Sequence, residues 1–86
     1  MLNTLKERLP EGLEINKVKE KPSKYEITFM IDGKEIKGDL AKTCSPGCQS
    51  RIADLTIFNV MAMNAMKNGD LETAKVWLDK SFTLSD

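Results

Sequence analysis

Histidine is absent from this chain, and other chemistry-bearing residues are scarce. Without an imidazole there is no ordinary base to activate a serine or cysteine nucleophile. Cysteine occurs only at Cys44 and Cys48, which falls short of the four ligands that a tetrahedral zinc site requires unless two chains pool theirs. The glycines form no phosphate-cradling loop. Neither sign of charge prevails, since Lys+Arg and Asp+Glu both total 13. That balance disfavours a dedicated nucleic-acid binder and an acidic nucleic-acid mimic alike, and it sets up no net repulsion between copies. Long hydrophobic runs are missing too. The greasiest stretch, 57–66, is interrupted by Asn59 and Asn64 and reaches about half the roughly 20 residues of a membrane span. The first residues carry Lys6, Glu7 and Arg8 where a signal peptide would be apolar. These absences predict a soluble, non-enzymatic protein without cofactor, metal or membrane anchor. They place it in a cytoplasm, bacterial or that of a phage host, where the thiols stay reduced.

What is present is enough for one fold. The 86 residues are 41% hydrophobic and 30% charged, ordinary globular material that makes a single domain spanning 1–86 with a modest core.

Thr4-Leu5-Lys6-Glu7 has the spacing of a capping box and opens a short helix that Pro10 and Gly12 stop. So short a helix persists only by packing Leu2, Leu5 and Leu9 onto something larger. Leu13 and Ile15 then alternate, with Val18 out of phase, which implies a bulge or a strand end there. Tyr25, Ile27, Phe29 and Ile31 make a clean period-two face. Asp32-Gly33 is a strong signal for a two-residue hairpin loop. It fixes a register in which Ile31 opposes Lys34, Phe29 opposes Ile36, Ile27 opposes Gly38 and Tyr25 opposes Leu40. Glu26 would then face Asp39, a like-charge pair that predicts frayed strand ends. Gly38 leaves a gap into which a helix can settle. Ser45 or Ser50 opens a long helix to Lys67, Asn68-Gly69 ends it, and Asp70 caps a last helix from 71 to about 84. The predicted fold is therefore α+β: a short N-terminal helix, a three-stranded antiparallel meander, and a C-terminal helical hairpin packed on one face of the sheet. Its expected core is Leu13, Ile15, Tyr25, Ile27, Phe29, Ile36, Leu40, Leu55, Phe58, Ala62, Ala74 and Leu78.

The long helix is apolar nearly all round, and a helix of that kind is normally covered on more than one side. Leu55, Phe58, Ala62 and Ala65 form the stripe expected to face the core. Ile57, Val60, Met61 and Asn64 form a second stripe, flanked by Trp77 of the last helix. These five residues are the predicted protein-interaction surface, with a second copy of the chain as the favoured partner. Leu2, Leu5 and Leu9 of the first helix are the simpler alternative cover.

Two family resemblances follow from spacing and order. Phe58, Met61, Ala62, Ala65, Gly69, Asp70, Leu71, Ala74, Leu78 and Ser81 fall as in a tetratricopeptide repeat, so residues 55–86 resemble one such unit. A single repeat cannot build a peptide-binding solenoid, so this resemblance implies a helical hairpin and no more. The α-β-β-β-α order over 4–65 resembles a double-stranded-RNA-binding domain. That resemblance implies RNA contacts from the first hairpin, where Lys17, Lys19, Lys21 and Lys24 flank Pro22. The lysine cluster that should open the family's last helix is replaced by Lys42 and Arg51 alone.

Cys44 and Cys48 flank Ser45-Pro46-Gly47, a gap one residue longer than the usual redox motif. A thiol in the first helical turn would have its thiolate favoured by the dipole. The plainer expectation is two reduced, partly buried cysteines. The function that emerges is a small protein-binding or regulatory module acting through its helical hairpin, with nucleic-acid binding at the lysine-rich hairpin as the alternative.

Overall fold

A computed structural model describes residues 1–85, with the elements α1 (Leu2–Arg8), β1 (Glu14–Glu20), β2 (Lys24–Ile31), β3 (Lys34–Ala41), α2 (Gln49–Lys67) and α3 (Leu71–Ser85). The strands form one antiparallel sheet in the order β1-β2-β3. The α+β architecture is the expected one: a short helix, a meander and a helical hairpin.

The β2–β3 register follows from its turn. Asp32 and Gly33 both take positive φ, 51° and 75°, as a type I′ loop requires. The pairs Ile31–Lys34, Phe29–Ile36, Ile27–Gly38 and Tyr25–Leu40 form as predicted. Glu26 does oppose Asp39, but the strands do not fray, because Lys21 pairs with Glu26 at 3.3 Å and Lys24 with Asp39 at 3.2 Å. The irregularity in β1 falls between Ile15 and Lys17, two residues before Val18.

Two helix starts differ from expectation. α1 begins at Leu2 behind Met1, the Leu5 amide donating to the Met1 carbonyl at 3.0 Å. Thr4 therefore lies inside the helix, where its hydroxyl donates to Gln49 Oε1 at 3.3 Å, and no capping box forms. This earlier start buries Leu5 completely, with Leu2 and Leu9 partly buried against the same core. α2 has Cys48 as its N-cap, neither Ser45 nor Ser50. A turn closed by the Cys48 amide on the Ser45 carbonyl (2.9 Å) sets the first helical bond, from the Ile52 amide to the Cys48 carbonyl (3.0 Å).

The hairpin turn reads as predicted. Gly69, at φ 76°, donates to the Met66 carbonyl, and the Asp70 amide reaches back to Ala65, the paired bonds of a Schellman ending. Asp70 then caps α3, accepting from the Thr73 amide at 3.1 Å and the Thr73 hydroxyl at 2.7 Å. These bonds hold its carboxyl below the usual carboxylate value.

The helices stack in tiers. α2 packs against β3 and α1 packs beside α2, while α3 packs chiefly against α2, with Leu78 bordering a cleft that β3 also lines. α2 is therefore the half of the helical hairpin that makes most of the contact with the strands. Arg8 of α1 and Asp54 of α2 join the two helices through a bidentate pair at 2.6 and 2.7 Å, which raises the Arg8 guanidinium above its ordinary value. Among the described residues, no helix is long and apolar enough to cross a membrane.

Candidate functional site

The second stripe of α2 faces the sheet, contrary to expectation. Ile57 is 3% exposed, Val60 1% and Asn64 7%, and Met61 is half-buried against the same core. Ile57, Val60 and Asn64 are occupied by the fold, and of this stripe only Met61 keeps part of its side chain exposed. Val60 fits over Gly38. Asn64 donates to Asp32 Oδ2 at 3.4 Å, and Lys34 Nζ bonds Asn68 Oδ1, so the β2–β3 turn is tied to the C-terminal end of α2. Thr56, 7% exposed, donates to the Asp39 carbonyl at 3.0 Å. The other stripe turns toward α3 instead. The Phe58 ring lies 5.6 Å from Trp77, and Ala62 and Ala65 share that side of the helix. Both alanines are buried, as is Ala74 of α3. Trp77 is half-buried in this junction, with Lys80 Nζ 4.7 Å from its ring centroid.

The apolar surface that stays open lies farther out on the hairpin. Met66, Leu71, Val76 and Phe82 are 46%, 70%, 52% and 63% exposed. Of the large hydrophobic side chains exposed among the described residues, only Val18 lies elsewhere. A shallow groove of about 490 Å³ runs along the α2–α3 flank, with Phe58, Val76 and Leu84 as its apolar lining and Asp54, Asp79 and Lys80 around them. This surface had a signal in the sequence. Val76 lies two positions from both Ala74 and Leu78, so it must point away from the stripe that packs on α2. A second cleft, about 380 Å³, separates the outer edge of β3 at Lys37 and Asp39 from Asn59, Met63 and Met66 of α2.

The lysines predicted as a nucleic-acid surface are partly neutralised. Lys21 and Lys24 pair with Glu26 and Asp39, while Lys42 reaches Glu20 at 2.7 Å across the Tyr25 ring. Lys17 and Lys19 are exposed. They border a hollow of about 190 Å³ on the open face of the sheet with Thr28, Glu26 and Lys37.

Cys44 and Cys48 are joined in a disulfide, where reduced thiols were expected. The Ser45–Cys48 turn brings their Cα atoms to 6.0 Å, inside the span that a disulfide bridges.

Comparison of the chain with protein-family models, with curated proteins and with solved structures found no match in any of the three.

Proposed function

We propose that this protein is a non-enzymatic binding or regulatory module that acts through its C-terminal helical hairpin, with a second copy of itself as the favoured partner. The observation that carries this reading is the concentration of exposed large apolar side chains on α3 and the end of α2. Scattered single hydrophobics need no explanation, and helical spacing puts Leu71 and Phe82 on a different side of α3 from Val76, so the contact site is the groove that Val76 shares with Phe58 and Leu84. α3 is backed chiefly by α2, and among the described residues Val76 on its outer side is 52% exposed.

Self-association draws support from the character of the groove. A two-fold contact places the same patch on both sides, so the patch must complement itself. Apolar Phe58, Val76 and Leu84 with Asp79 and Lys80 beside them supply an apolar centre and both signs of charge. The zero net charge of the chain adds no repulsion. Sedimentation of wild type and of Val76→Lys tests the proposal, because position 76 is exposed and can accept a charge without disturbing the core.

A further inference from the structure

The short connection between β3 and α2 holds the chain's two sulfurs. Cys44 and Cys48 are four positions apart, so the bond between them closes one of the smallest loops a disulfide can close. Stabilisation by a crosslink grows with the length of chain it restrains. This one lies at the short end of that range and contributes less as a staple than a crosslink between distant segments.

The geometry that brings the sulfurs together does not depend on the bond. Pro46 sits in a turn closed by the Cys48 amide on the Ser45 carbonyl at 2.9 Å. Gln49 Nε2 donates to the Cys44 carbonyl at 3.3 Å and holds the other end of the loop. These bonds hold both ends of the loop by contacts other than the disulfide, so closure is an intramolecular step with a high effective concentration. Both cysteines are also half-buried, within reach of a small thiol.

Their surroundings differ. Cys48 is the N-cap of a 19-residue helix, where the macrodipole favours a thiolate. The Ser45 hydroxyl lies 3.4 Å from its sulfur as a donor, and the first turn of α2 carries Arg51 and no carboxylate. Cys44 lies in the preceding loop, outside the helix.

We propose that Cys44 and Cys48 are a reversible thiol–disulfide pair, with Cys48 as the sulfur that exchanges with external thiols and disulfides. In the oxidising direction the Cys48 thiolate attacks one sulfur of a small disulfide such as oxidised glutathione. A mixed disulfide forms on Cys48 and one glutathione thiolate leaves. Cys44 then gives its proton to solvent and attacks the Cys48 sulfur, expelling the second glutathione thiolate. The two protein thiols are oxidised and one glutathione disulfide is reduced to two thiols. Excess reduced glutathione runs the same steps backwards.

The test is equilibration of the full chain in buffers of graded reduced-to-oxidised glutathione ratio, acid-quenched, alkylated and weighed by mass spectrometry. The expected result is passage between dithiol and internal disulfide within the buffered range, with only traces of glutathione adduct. Cys44→Ser should trap glutathione on Cys48, and at neutral pH it should be alkylated severalfold faster than Cys48→Ser. A disulfide that survives excess reduced glutathione, one that never forms in excess oxidised glutathione, or equal alkylation of the two single variants would overturn the proposal. The double variant, Cys44→Ser with Cys48→Ser, should keep its circular dichroism and unfold cooperatively in urea with only a modest fall in midpoint. If it fails to fold, the crosslink is a structural staple and the proposal falls.

Discussion

Gly38 of β3 and Val60 of α2 meet with no space for a side chain between them: a Cβ at position 38 would lie 3.1 Å from Val60 Cγ2 and 3.1 Å from Phe29 Cε2. Val60 is 1% exposed and Phe29 is fully buried, so neither has room to withdraw. Gly38→Ala should therefore destabilise the fold by about 1–2 kcal/mol, the cost of overpacking outweighing the entropic gain of replacing glycine. Urea unfolding measures this, and Gly38→Val should cost more.

The contact between Thr56 and the β3 edge makes a separate prediction. Ile31–Lys34 flanks the two-residue loop, so Lys34, Ile36, Gly38 and Leu40 bond to β2 while the Asp39 carbonyl points outward. The Thr56 hydroxyl satisfies that carbonyl at 3.0 Å. Thr56→Val keeps the shape and leaves the acceptor unpaired, which should cost about 1 kcal/mol, and Thr56→Ser should recover most of it. The readout is the urea midpoint of the three proteins.

Asp70 links stability to pH. Its folded-state pKa is lowered by the bonds from Thr73, so through the acid titration this site holds fewer protons in the folded protein than in the unfolded one. Its contribution is complete above the ordinary carboxylate range and disappears as pH falls through the lowered folded value. Asp70→Ala should reduce the thermal midpoint at neutral pH, and the gap from wild type should close in strong acid. Midpoints taken across an acid series check both parts.

The lysine-rich hairpin, if it contacts nucleic acid, should do so weakly. With Lys21 and Lys24 engaged by carboxylates, Lys17 and Lys19 alone would give a log–log salt slope of about −2 on duplex. A titration of labelled duplex RNA against salt measures it. A steep slope with tight binding would shift the functional reading to this surface.

How much of this was legible in the sequence depended on what each residue type encodes. Asp32-Gly33 carries its own φ preferences, so one loop sufficed for the register of all eight residue pairs between β2 and β3. Gly69 and Asp70 likewise specified the end of one helix and the start of the next. The rotation of α2 was not legible. A helix apolar around its circumference contains no phase, and Asn64, placed on the outer stripe, is buried and donates to Asp32, while Thr56 on the same inward side donates to the Asp39 carbonyl. The candidate surface moved accordingly, from Ile57, Val60 and Met61 to Val76 and its neighbours. The Thr4 capping box failed for a related reason: burying Leu5 against the core required the helix to start a turn earlier.

The same rotation decides which variant can test the function. Met61→Lys would charge a side chain packed against the core and would report on folding, whereas Val76→Lys changes only the outer side of α3. The decisive measurement is sedimentation equilibrium of wild type and Val76→Lys from micromolar to high micromolar concentration, with circular dichroism confirming that both are folded. The wild type should rise with concentration from the 9.7 kDa monomer mass toward twice that value, while folded Val76→Lys should remain at the monomer mass throughout. A wild type that stays monomeric, or a variant that associates equally well, would contradict the assignment of the helical hairpin as a self-association surface.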